Sequence, residues 1–180
     1  SREMVNISRK KLPGSEFAVG DMKNFRSDKK YDNLISVFDT VNYLKKTKDL
    51  LSFFRGCNKV LNEDGLLLFD FNSIYGLVNE WEGVKIEETE DFFISYDSEF
   101  DMDTLILECR MKFFIKEKDG RFVTFEETHY ERGYSPTEIK ELLKQNGFKL
   151  VKLLPFLSRK QTRNKKLDRY QAVAVKTNEV

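Results

Sequence analysis

The sequence predicts an α/β protein: a sheet core with an antiparallel β-meander inserted near its middle. Three observations carry this. Phe17–Val19, Leu34–Phe38 and Leu66–Phe71 are short runs rich in Val, Ile, Leu and Phe, the pattern of strands buried on both faces of a parallel sheet. Between Thr47 and Leu61 the residues Leu50, Phe53, Phe54, Cys57, Val60 and Leu61 recur at helical spacing. Beyond residue 100 the period changes to two. Leu105, Leu107, Cys109, Met111, Phe113 and Ile115 share one face, and Glu108, Arg110, Lys112 and Lys116 fall largely on the other, as in an antiparallel sheet with one face buried and one wet.

In chain order, Ser1 is placed to N-cap a helix through Lys11, with Met4, Ile7 and Leu12 on roughly one face, and Pro13-Gly14 ends it. Strands are predicted near 16–20 and 33–38, then the helix from Thr47, then a turn at Glu63-Asp64-Gly65 into a strand over 65–71. The meander spans about residues 91–133, with Phe92–Asp97 as its first strand and a hairpin at Lys118-Asp119-Gly120 before Phe122–Arg132. Ser135-Pro136-Thr137-Glu138 reads as a helix start, with Ser as N-cap, Pro at the first position and Glu closing a capping box; Gly147 stops that helix. Strands near 148–154 and 170–176 close the chain. The expected division is a core of residues 1–73 and 134–180 with an inserted β subdomain over 74–133.

Composition narrows the function classes. A chain of 180 residues holds one domain with a proper core. The 31 basic and 30 acidic residues nearly balance, which gives no general attraction to a polyanion. The basic stretch Arg159–Lys166 reads as a solvated loop rather than a nucleic-acid contact. Cys57 and Cys109 have no metal-ligand spacing and read as reduced thiols of a cytoplasmic protein. The longest apolar run, Gly65–Phe69, is too short to cross a membrane.

Two of the apolar runs end in acidic residues, Asp21 and Asp39. Carboxylates just past the C-terminal ends of such strands sit where open α/β sheets bind ligands, although Asp also favours strand ends as a turn residue. The stretch GDM after a short strand, followed by YD and a strand ending in FDTVNYL, resembles the class I S-adenosylmethionine-dependent methyltransferases, and within them the small-molecule branch. The resemblance implies a Rossmann-like sheet whose insertion after the fifth strand covers the substrate. It places S-adenosylmethionine against Asp21, which would accept from the adenine amino group, Met22, which would lie on the ring, and Phe38 and Asp39 toward the methionine end. Asn42, Tyr43, Tyr130 and Arg132 become candidate substrate contacts. Such methyl transfer is a displacement governed by positioning, so no obligatory catalytic residue exists. A proton acceptor is needed only for some acceptors, with the sole histidine, His129, and Tyr75 at the sheet rim as candidates.

No GxGxG turn occurs among the nine scattered glycines. In the resembled family that turn, the first two strands and a ribose-binding carboxylate would precede Ser1. The chain is therefore expected to be a fragment of a longer enzyme, poor in cofactor binding alone and prone to self-association through an uncovered strand edge. The alternatives are a non-catalytic, degenerate module used for binding or dimerisation and an RNA-modifying enzyme. The expected partner is a small-molecule acceptor, with no metal, membrane or nucleic acid.

Overall fold

The computed structural model describes residues 1–158 and 166–177; most of the basic stretch from Arg159 lies outside them. Helix α1 (Arg2–Lys11) is capped by Ser1, whose Oγ accepts from the amide of Met4 at 3.2 Å. None of its residues is buried, and Met4, Ile7 and Leu12 are exposed. The chain then runs extended to Asp21, where the carboxylate caps a single 3-10 turn (Met22–Asn24) by accepting from the Lys23 amide. Residues 16–20, predicted as a strand, form none. A strand needs a neighbour to take its NH and CO groups, and no described strand lies beside this run.

Strand β1 (Tyr31–Ser36) pairs in parallel with β2 (Leu61–Asn72), Leu34 opposite Leu67 and Ser36 opposite Phe69. Between them α2 (Thr47–Val60) buries Leu50, Phe53, Phe54, Cys57 and Val60, the stripe that its helical spacing predicts. β2 is the spine of the sheet, with order β1-β2-β8-β7. Its inner partner β8 (Arg169–Lys176) runs antiparallel, and β7 (Phe148–Pro155) pairs with β8 in turn. Helix α4 (Pro136–Lys144) starts on Ser135, whose Oγ accepts from the Glu138 amide at 3.1 Å. Glu138 does not close the expected capping box. Its carboxylate takes Arg132 Nη1 at 2.8 Å, a charged donor that outcompetes a backbone NH.

The core lies between this sheet and helices α2 and α4. Phe54, Phe69 and Phe71 form a chain of tilted ring contacts, and Phe71 stacks on Tyr170 at 5.4 Å. All four rings are essentially buried, and each contributes about 1.5–3 kcal/mol through the area it removes from water.

After a short helix, α3 (Ile74–Gly76), and a wider turn through Trp81, the chain builds a second sheet of order β3-β4-β5-β6. The strands are β3 (Gly83–Glu88), β4 (Phe92–Asp101), β5 (Ile106–Lys116) and β6 (Phe122–Arg132), all antiparallel. The meander is thus four strands, one more than expected. β3 escapes sequence reading because every one of its residues is exposed, Val84 and Ile86 included, so it has no buried face to announce it. The β5–β6 turn falls at Lys118-Asp119-Gly120 as predicted, with Gly120 at φ +84° where a side chain would be strained. A small core of Leu77, Phe100, Leu107 and Cys109 fastens this sheet. Both cysteines are buried and unpaired.

Candidate active site

The site is built at the C-terminal ends of β1 and β2. After Ser36 the chain leaves the sheet through Val37, Phe38 and Asp39. Phe38 and Asp39 both take left-handed backbone, φ 60° and 50°, which costs an ordinary residue about 1–2 kcal/mol each. Asp70 of β2 holds them there. Its carboxylate is buried and accepts from the Phe38 amide at 3.0 Å and the Asp39 amide at 2.6 Å. Arg169 completes the knot, with Nη2 on Asp70 Oδ1 at 2.9 Å and Nη1 on Asp39 Oδ2 at 3.3 Å. Neither Asp70 nor Arg169 stands out in the sequence; the pairing of β2 with β8 brings them together.

Two cavities lie at this end of β1, one reaching Ser36 and the other starting at Asp39. The first, about 550 Å³, is lined by residues 18–22 and 24–26, by Leu34, Ile35 and Ser36 of β1, and by Phe53 and Cys57 of α2. Asp21 stands at it half-exposed, its carboxyl held below the usual carboxylate range chiefly by the Lys23 amide. Met22 is partly buried against the main core. Burial pushes the Cys57 thiol up to about 12, so it lines the cavity as an apolar wall. An acceptor-only carboxylate beside apolar walls fits a flat heteroaromatic ring bearing an amino group. Phe38, an expected cofactor contact, is largely exposed and lines neither of these cavities.

The second cavity, about 260 Å³, lies under the second sheet and is lined by Asp39, Tyr43, Trp81, Tyr96, Leu107, Cys109, Met111, His129 and Glu131. The β5–β6 register sets Cys109 opposite His129 and Leu107 opposite Glu131, so all four share the face turned to the cavity. Tyr43 Oη meets His129 Nδ1 at 2.7 Å, and His129 Nε2 meets Glu127 Oε2 at 3.0 Å. Glu131 Oε2 accepts from Asn72 Nδ2 at 2.9 Å; the same amide group reaches Asp39 Oδ2 at 3.3 Å. Burial, then the Asp39 charge, raises the Glu131 carboxyl to about 7. Burial first, then Glu131 and Asp39, raise the Tyr43 hydroxyl to about 12.

The structure divides the expected site residues. Asp39, Tyr43 and His129 meet in one cavity; Asp21 and Met22 line the other. Tyr130 and Arg132 face away, because successive strand residues alternate faces. Lys45 lies over the Tyr130 ring at 4.6 Å, and Arg132 lies over Tyr134 while paired to Glu138. Asn42 is fully buried and spent on structure: its amide donates to the carbonyls of Asn72 and Arg132 and accepts from the Asn72 amide. Tyr75 lines a separate hollow of about 170 Å³ with Ser135 and Leu167. Glu131, Trp81 and Tyr96 had no place among the sequence candidates. Setting β6 against the apolar face Leu107–Cys109 would have found Glu131, since that register puts residues 129 and 131 inward.

Strand order, the parallel β1–β2 step and the rim turn together define the class I S-adenosylmethionine-dependent methyltransferase fold. A methyltransferase structure from Clostridium acetobutylicum superposes with a TM-score of 0.92 over 99% of this chain and 73% of its own, at 23% identity. The S-adenosylmethionine-bound amino pentose methyltransferase CalS10 from Micromonospora echinaspora gives a TM-score of 0.72 over 98% of this chain and 71% of its own, at 16% identity. In sequence the chain is similar to the putative methyltransferase YqeM of Bacillus subtilis, 29% identical over 155 residues, which are 83% of this chain and 62% of the relative. The chain spans less than two thirds of the length of the curated relatives it matches. No family model matches it. None of its helices, among the described residues, is long and apolar enough to cross a membrane.

Proposed function

We propose that this chain supplies the adenine side of an S-adenosylmethionine site and the acceptor pocket of a small-molecule methyltransferase. The observation that carries the reading is a pair of cavities at the C-terminal end of β1, one reaching Ser36 and edged by the Asp21 carboxylate, the other starting at Asp39 and walled by aromatic rings. Asp21 accepts from the adenine amino group, and Met22, Leu34 and Ile35 give that ring its apolar bed. The cofactor supplies a methyl group activated on a sulfonium. The protein's task is to aim the acceptor at it and keep water out, which is where most of the acceleration in such displacements arises. Asp70 and Arg169 fix the turn between the two sites. Support comes from the names of the relatives, methyltransferases throughout, and from CalS10, solved with S-adenosylmethionine bound.

Calorimetry of the whole protein with S-adenosylmethionine tests the reading. Asp21→Ala is expected to weaken binding roughly tenfold or more, the loss of a charge-assisted hydrogen bond. Unchanged affinity removes Asp21 from the site, and no binding by the whole protein removes the function. The 180-residue chain by itself is expected to bind far more weakly, since it contains no glycine-rich turn to cradle the methionine carboxylate. The free edge of β1 is a proposed surface for self-association.

A further inference from the structure

The smaller cavity has a charge pattern that identifies the kind of acceptor it would hold, provided that the site is the methyl-transfer site proposed for it. Three carboxylates, of Asp39, Asp70 and Glu131, meet a single guanidinium, and Arg169 spends it on the first two. Glu131 receives only the neutral amide of Asn72 on Oε2; its Oε1 has no hydrogen-bond partner among the described residues. No lysine or arginine lines the cavity among the described residues, whose remaining walls are His129 and the largely apolar Tyr43, Trp81, Tyr96, Met111, Leu107 and Cys109. Ring faces attract cations, and Lys85 already lies over Trp81 at 5.7 Å. A carboxylate left without a cation among aromatic walls fits one kind of ligand.

We infer that the methyl acceptor is an organic amine that enters this cavity as an ammonium ion, and that Glu131 takes its proton before methyl transfer. His129 is less suited to this step. Nδ1 is engaged by Tyr43 and Nε2 by Glu127, so the imidazole holds the wall in place with both nitrogens occupied. Glu131 keeps one oxygen free, and Asn72 fixes the other. One N–H bond of the ammonium breaks, and its proton passes to Oε1, leaving a neutral amine and a neutral carboxyl group. The nitrogen lone pair then forms the N–C bond as the C–S bond breaks, and that electron pair stays on sulfur. The product leaves as an N-methylammonium ion, and Glu131 returns its proton to water. A carboxyl raised by burial to about 7 exchanges a proton with an amine more readily than an ordinary glutamate. The charged and titratable groups around it are Asp39, Tyr43 and Arg169 from the rim, His129 on its own strand, and Tyr96 and Cys109 across the cavity.

Two probes of equal shape separate the possibilities: cyclohexylamine and cyclohexanol, titrated into the whole protein and followed by NMR at the Met111 methyl and the His129 ring. The amine is expected to bind at least about tenfold more tightly than the alcohol at neutral pH, with that preference lost in Glu131→Gln. Should the variant not fold, the wild-type protein answers as well: the preference for the amine should fade as pH falls through about 7 and Glu131 takes up its proton. Equal binding of the two probes, or a preference indifferent to both Glu131→Gln and pH, overturns the inference. Neither outcome touches the methyl-transfer reading, which falls only if the whole protein fails to bind S-adenosylmethionine.

Discussion

Glu131 makes its environment measurable without any ligand. Unfolded, its carboxyl titrates near its ordinary 4.5; folded, burial and Asp39 raise it to about 7. The folded state therefore holds the proton more tightly, and this contribution to stability is complete below about 4.5 and is lost as pH rises through about 7. Unfolding free energy is expected to drop by up to about 3 kcal/mol across that window, and Glu131→Gln should abolish this component. Urea titrations of wild type and variant at both ends of the window check it; parallel pH profiles would mean that the carboxylate is solvated. Individual side chains of the site were only half legible in the sequence. Asp39, Tyr43 and His129 follow from position after a strand or from residue type. Glu131 was hidden because β6, mostly exposed, carries no alternation of its own, and only its register against Leu107 and Cys109 turns residues 129 and 131 inward.

The elements were more legible than the residues, and the exceptions have local causes. α2 announces itself by a stripe that it does bury, and β2, β7 and β8 fall within a few residues of their expected bounds. The run at 16–20 has strand composition but no strand beside it, and β3 has a strand partner but no composition. Between β1 and the next turn, the strand ends at Ser36 instead of Phe38, because Asp70 pulls the Phe38 and Asp39 amides into left-handed geometry. That junction is where β2 contributes most to the site. Asp70→Ala would leave two amides and Nη2 of Arg169 without the buried carboxylate that they share, at a cost of about 3–5 kcal/mol. Denaturant unfolding should show it as a loss in that range. The conservative Asp70→Asn, which keeps an acceptor but not the charge, is expected to cost less. Equal, small losses in both would mean that the turn is held by its own packing.

At the scale of the whole molecule, residues at the sheet rim tie the first sheet to the second, Asn72 reaching Glu131 and Tyr43 reaching His129. Asn42 links the rim turn to the ends of β2 and β6, Tyr134 donates its hydroxyl to the Leu44 carbonyl, and Ser73 bridges Tyr134. On the opposite side β1 pairs only with β2 among the described strands, which leaves its outer row of NH and CO groups without a described strand partner. Around it Ile35, Val37 and Phe38 are exposed, as are Val19 and, in α1, Met4 and Ile7. An uncovered edge with apolar neighbours is a template for pairing with another chain. The 180-residue chain is therefore expected to associate with itself as concentration rises, seen by sedimentation as a growing mean mass. Ile35→Lys, which sets a charge on the exposed face beside that edge without touching the core, should shift the chain toward monomer. The acceptor pocket lies across the rim turn from this edge, so amine probes should bind wild type and Ile35→Lys alike. A chain that stays monomeric at every concentration would mean that the edge is protected in solution by α1 and the extended run beside it, and the apolar residues there would have to be accounted for as packing between those two segments.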